Sequence, residues 1–123
     1  MFELTKISKI RLAECDERLQ SIVNKLSLEM SICVCCGHRG QVEQNLAYTQ
    51  KRSKLMFPKS KHNKKPSLAV DIAPLKDGKI DWNDIDLFNK MLDRLLEIAK
   101  GLSIEIRLGR DFSFKDYPHI ELK

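Results

Sequence analysis

The stretch SKHNKKPSLAVDIAP, residues 60–74, decides how the chain is read. A basic, proline-broken loop carrying His62 runs into a short apolar segment, Leu68 to Ile72, interrupted by Asp71. The apolar run predicts a strand over about 68–72, ended by Pro74. A lone carboxylate inside such a strand is costly to bury unless it is paired or holds a metal. Asp71 therefore needs partners, and the strand needs neighbours.

Both lie outward along the chain. Upstream, Leu19, Ile22, Val23 and Leu26 fall on one face and predict a helix over about 16–30. SICVCC, residues 31–36, reads as a buried strand closed by Gly37, and 41–50 as a short helix. Downstream, Asn83 is the expected N-cap of a helix over about 84–100, with Phe88, Met91, Leu92, Leu95 and Ile98 in its apolar stripe. Gly101 is placed to end it. IEIRL (104–108) and HIEL (119–122) read as two further strands. Helices and strands mix without a βαβ rhythm or an internal repeat. The expected fold is α+β, a small single domain over 1–123 with an antiparallel sheet flanked by helices.

Length and composition agree with this. A chain of 123 residues holds one core, and 42% hydrophobic with 32% charged residues fits a soluble globular protein. No apolar run reaches the length of a membrane span. The start, MFELTKISKIRLAECDERL, is broken by charge every few residues and lacks a signal-peptide core, so a cytoplasmic location is expected. The net charge is +5, with Lys51, Arg52, Lys54, Lys59, Lys61, Lys64 and Lys65 crowded together. Such a run fits a solvated loop or a patch facing an anionic partner: nucleic acid, anionic lipid or an acidic cell wall. No helix-turn-helix, finger spacing or aromatic-interleaved basic strand is present, so nucleic acid is not the expected partner.

Four cysteines and three histidines carry the candidate chemistry. Cys33 and Cys36 form a C-x-x-C with His38 close behind, which raises a zinc site. No second pair follows, and cysteines within SICVCC read more simply as core residues. His62 precedes Asp71, and DYPHIEL sets Asp116 three residues before His119. A zinc hydrolase needs three protein ligands, one open position and a nearby carboxylate that takes a proton. His62, Asp71 and His119 supply that ligand count, and Asp116 the base. Each also has a plainer reading: a surface histidine, a strand-end carboxylate, a turn before a terminal strand. No H-E-x-x-H is present.

The combined motifs resemble the VanY-like family of zinc D-Ala-D-Ala carboxypeptidases and L-alanyl-D-glutamate endopeptidases, in particular its short phage and prophage endolysin branch. The S-x-H element is Ser60 and His62, A-x-D is Ala69 and Asp71, and D-x-P-H-x-E-L is Asp116, Pro118, His119, Glu121 and Leu122. GHRGQVEQN, SKLMFPKSKHN and the block from Trp82 through GLSIEIRLGRDF also match. The resemblance spans about 15–122. It implies a Hedgehog/DD-peptidase-like fold, with Zn2+ held by His62, Asp71 and His119. It further implies Asp116 as catalytic base and Arg39 facing the scissile carbonyl. Many relatives carry W-G-G-D-W where this chain has LGRDF, and only SFK separates Phe112 from Asp116.

The function so implied is cleavage of peptidoglycan stem peptides at the L-Ala-D-Glu bond by a monomeric endolysin. A D-Ala-D-Ala carboxypeptidase of the same fold is the alternative enzyme. A basic module binding wall polymer or nucleic acid without catalysis is the alternative class.

Overall fold

A computed structural model describes residues 2–123. Four α-helices and four strands follow in the order α1 (Lys6–Ala13), α2 (Glu17–Ser27), β1 (Ile32–Cys36), α3 (Gln41–Thr49), β2 (Ala69–Pro74), α4 (Ile85–Gly101), β3 (Ile106–Leu108) and β4 (His119–Leu122). The sheet is antiparallel throughout, in the order β1-β2-β4-β3. The α+β expectation is met.

Period-two alternation divides the sheet into two faces. Val34 pairs with Ile72, Val70 with Ile120, and Leu108 with Ile120, so these apolar side chains share one face. With Leu122 and Ile32 they join Leu19, Ile22, Val23 and Leu26 of α2 and Phe88, Met91, Leu92 and Leu95 of α4 in a single core. Each such side chain contributes about 1.5–3 kcal/mol on burial. Asp71, His119 and Glu121 therefore fall on the opposite face.

α1 was not legible in the sequence because it buries only Ser8 and Leu12 and shows no stripe. Its work is at the sheet edge, where exposed ladder groups invite mispairing. The Ser8 hydroxyl accepts from the Val34 amide at 2.9 Å, and Arg11 donates to the Val34 carbonyl at 3.1 Å. α2 stops at Ser27, short of the expected 30, since Leu28 has left the apolar stripe and stands exposed.

The ends of α4 also differ from expectation. The capping side chain is Asp84, which accepts from the Leu87 amide at 3.1 Å, while Asn83 lies in the turn before it. Gly101 is the last helical residue rather than the terminator. The left-handed position is Ser103, at φ 58°. Ser103 N–H donates to the Lys100 carbonyl and Ile104 N–H to Ala99, the bond pair of a Schellman ending. A side chain in that conformation is strained, and glycine is not. Ser103→Gly should therefore stabilise the fold by about 0.5–1 kcal/mol, a rise of roughly 2–5 °C in Tm by thermal denaturation.

Candidate functional site

The polar sheet face is built by register. Asp71 on β2 lies directly across from His119 on β4 and, on its other side, from Cys36 on β1. An even ladder would have set Cys35 opposite Asp71, but a bulge between Val34 and Cys36 inserts one residue. After the bulge, Gly37 packs so closely on α1 that a Cβ there would meet the Arg11 carbonyl oxygen at 2.2 Å. The Gly37 carbonyl is thereby aimed at His62, which sits in a short 3-10 turn capped by Ser60 and is buried.

Two histidines converge on one carboxylate oxygen. His62 Nε2 lies 3.2 Å and His119 Nδ1 3.3 Å from Asp71 Oδ1. The other nitrogen of each ring has its own acceptor: His62 Nδ1 is 2.7 Å from the Gly37 carbonyl, and His119 Nε2 is 2.8 Å from Glu121 Oε1. Those acceptors fix the tautomers and leave Nε2 of His62 and Nδ1 of His119 facing Asp71. Arg39 Nη2 approaches the second oxygen of Asp71 at 3.5 Å. Glu121 is in turn flanked by Lys61 at 3.3 Å and Arg107 at 3.8 Å.

Charge follows geometry. Burial pushes the Asp71 carboxyl up, but His62 and His119 outweigh it and hold the group well below the usual carboxylate range. Burial likewise opposes charge on His62, yet the Asp71 carboxylate raises it to about 10. His119 is raised against burial to about 9 by hydrogen bonds to Asp71 and Glu121. Asp116 is raised by burial and then by the negative charge of Asp71.

All five residues singled out in the sequence line one cleft of about 730 Å³: His62, Asp71, His119, Asp116 and Arg39. Six cations and four carboxylates line it in total, so its walls carry a positive surplus. Phe112 and Phe114 from the segment before β4 add apolar surface.

The C-x-x-C grouping does not form. Cys33 Sγ is 3.7 Å from Cys35, and His38 engages Glu14 through its backbone amide. Cys15 is core, where burial pushes its thiol up to about 12. Cys36 is the exception: it joins His62 and Asp71 in a group whose donor atoms lie within 4.8 Å of one another. Its sulfur stands 3.9 Å from His62 Nδ1, the nitrogen already engaged by Gly37.

Two supporting residues stood within the matching motifs but carried no role in the sequence reading. Glu121 had a usable signal, since the i, i+2 spacing from His119 puts both on one face of a strand. Gln44 had none. It is fully buried on α3, its carbonyl oxygen accepts from Arg39 at 2.9 Å and Asn63 at 3.2 Å, and its amide donates to Ser53 at 2.9 Å and to the Leu55 carbonyl at 2.6 Å.

An α+β domain with one polar cleft on the exposed face of its sheet, two histidines and an aspartate at its floor, is the class that fold and site define. The chain belongs to the phage L-alanyl-D-glutamate peptidase family, whose model matches residues 1–122. It is 34% identical over 128 residues to the L-alanyl-D-glutamate peptidase of Escherichia phage T5, covering 99% of this chain and 90% of the relative. Its fold is similar to that of the L-Ala D-Glu endopeptidase ChiX of Serratia marcescens, with a TM-score of 0.85 at 19% identity over 98% of this chain and 90% of that one.

Proposed function

We propose that this chain is a zinc-dependent peptidase that hydrolyses the L-alanyl-D-glutamate bond of peptidoglycan stem peptides, as a phage-type lytic enzyme. The observation that carries the metal reading is that two histidine nitrogens each stand one ligand-to-ligand spacing from the same carboxylate oxygen. Ligands about 2.0–2.1 Å from one tetrahedral ion lie roughly 3.3 Å apart. His62 Nε2 and His119 Nδ1 stand 3.2 and 3.3 Å from Asp71 Oδ1. The far nitrogens of both rings donate to a backbone carbonyl and a carboxylate, the support that metal-binding histidines ordinarily have. The field that holds protons on these imidazoles would equally hold a divalent cation. Cys36 is the competing third donor, within 4.8 Å of donor atoms of His62 and Asp71; the D-x-P-H-x-E-L element, which supplies His119, favours His119.

Bound zinc supplies Lewis acidity and a supply of hydroxide at neutral pH. The remaining work falls to the chain. Asp116, with its carboxyl raised, is suited to take a proton from water and return it to the leaving amine. Arg39, fixed between Asp71 and Gln44, offers a guanidinium to charge developing on the scissile carbonyl oxygen. The positive surplus of the walls suits an anionic stem peptide. All of these groups come from one chain, so the site needs no second copy, and we read the enzyme as a monomer. Among the described residues no helix is long and apolar enough to cross a membrane. We read the enzyme as made in the host cytoplasm and active on the wall after release.

The test is digestion of purified peptidoglycan followed by end-group analysis. New amino-terminal glutamate is expected, with loss on chelation and recovery with zinc. Release of D-alanine alone would assign the carboxypeptidase activity instead. In equilibrium dialysis, His119→Ala should lose zinc and Cys36→Ser should keep one ion per chain; zinc kept in His119→Ala and lost in Cys36→Ser would shift the third ligand to Cys36.

A further inference from the structure

A D-glutamyl residue has two carboxyl groups, and only one can extend the peptide. The other remains beside the scissile bond as a carboxylate or a carboxamide. We propose, resting on the peptidase reading above, that Lys54 is the residue that recognises this carboxylate and so sets the specificity of the cleft.

Most cations of the cleft are already engaged. Arg39 faces Asp71, Lys61 and Arg107 face Glu121, and Arg52 donates to Gln50 at 2.9 Å. Lys54 and Lys59 make no ion pair among the described residues, and of the two only Lys54 lies on an aromatic ring. Its ammonium lies 4.4 Å from the centroid of the Phe114 ring, across the cleft from its own loop. A cation on an aromatic face is held in place yet keeps its donors free for an anion.

The backbone at Lys54 is fixed from below. The two residues that flank it, Ser53 and Leu55, both accept from the side-chain amide of Gln44, which is fully buried. The same side chain accepts from Arg39. One buried amide thus ties the Lys54 loop to the guanidinium that faces Asp71. A cation set in advance loses little freedom on binding, which is how a surface lysine becomes a selective one. Phe114 is two residues before Asp116, so their Cα atoms are no more than about 7 Å apart, and both side chains line the same cleft. The ammonium thus stands in the wall of the cleft that holds Asp116, on the side where a carboxylate next to the scissile amide can reach it.

The test uses a synthetic peptide pair containing the L-alanyl-D-glutamate bond, identical except that the free glutamyl carboxyl is a carboxylate in one and a carboxamide in the other. The readout is the ratio of kcat/KM between the twins. The wild-type protein, supplied with zinc, should prefer the carboxylate by about 10- to 100-fold, the worth of one charge-assisted hydrogen bond. Lys54→Met should bring the ratio close to one, and Lys54→Arg should retain most of it. A ratio near one in the wild type, a ratio undiminished in Lys54→Met, or equal loss of both activities in that variant would overturn the assignment. Cleavage of neither twin by the wild type would overturn the peptidase reading and this assignment with it.

Discussion

His119→Ala is expected to strip the protein of zinc and to abolish hydrolysis, whereas Asp116→Ala keeps the metal and loses the reaction. The two residues are three apart in sequence and line one cleft, but they stand in different relations to its floor. His119 Nδ1 is 3.3 Å from Asp71 Oδ1, and its other nitrogen is held by Glu121. Removing it takes away one of three donors and leaves Asp71 and Glu121 short of a partner. Breaking such a buried network costs about 3–5 kcal/mol, so a lowered Tm accompanies the loss of metal. Asp116 donates nothing to that donor set, and its proton-handling role is worth about 10²–10⁴ in rate. Zinc content by metal analysis and hydrolysis of purified peptidoglycan, measured on the same samples, separate the two. Zinc retained in His119→Ala, or hydrolysis retained in Asp116→Ala, would refute the respective assignment.

Gly109→Ala should be nearly as damaging without touching any functional group. A Cβ at this position would stand 2.1 Å from the Asp116 carbonyl oxygen and 2.8 Å from the His119 Cβ. The Gly109 carbonyl accepts from the Asp116 amide at 2.9 Å, and the Asp116 carbonyl from the His119 amide at 3.1 Å, so the contact is with backbone that cannot swing aside. Overpacking of this kind costs about 1–3 kcal/mol and more where the neighbour is rigid. Relief requires moving the segment that carries both Asp116 and His119. Gly101→Ala is the matched control, since nothing lies within 4 Å of its Cβ position at the end of α4. Alanine there should stabilise by about 0.5–1 kcal/mol. Opposite shifts in the denaturation midpoint, with activity lost only in Gly109→Ala, are the expected pair. A Gly109→Ala protein with native stability and activity would show that the segment before β4 is far more yielding than its packing implies.

Much of the site was legible because its parts are local. S-x-H, A-x-D and D-x-P-H-x-E-L each lie within a few residues, and a carboxylate in an apolar strand announces that something must neutralise it. The helices that show a stripe, α2 and α4, were legible for the same reason. α1 was not, since its main service is to hydrogen-bond the edge of β1 through Ser8 and Arg11. Gln44 stood in the matching GHRGQVEQN segment, but its role was hidden because a glutamine on a short helix looks solvated until the loops it binds are folded over it.

The sequence by itself determined the α+β class, the single core, the two amphipathic helices and the residue types available for chemistry. These follow from the backbone periods of 3.6 and 2, which a linear pattern records directly. Only the tertiary structure decided which of those residues meet. The pairing of Asp71 with His119 across β2 and β4, the bulge that turns Gly37 toward His62, and the close approach at Gly109 are non-local. Register is set by matching the hydrophobic face of the whole sheet, and a one-residue slip would send every side chain to the opposite face. No residue within either strand names its partner, so the convergence of His62, Asp71 and His119 is a property of the assembled sheet.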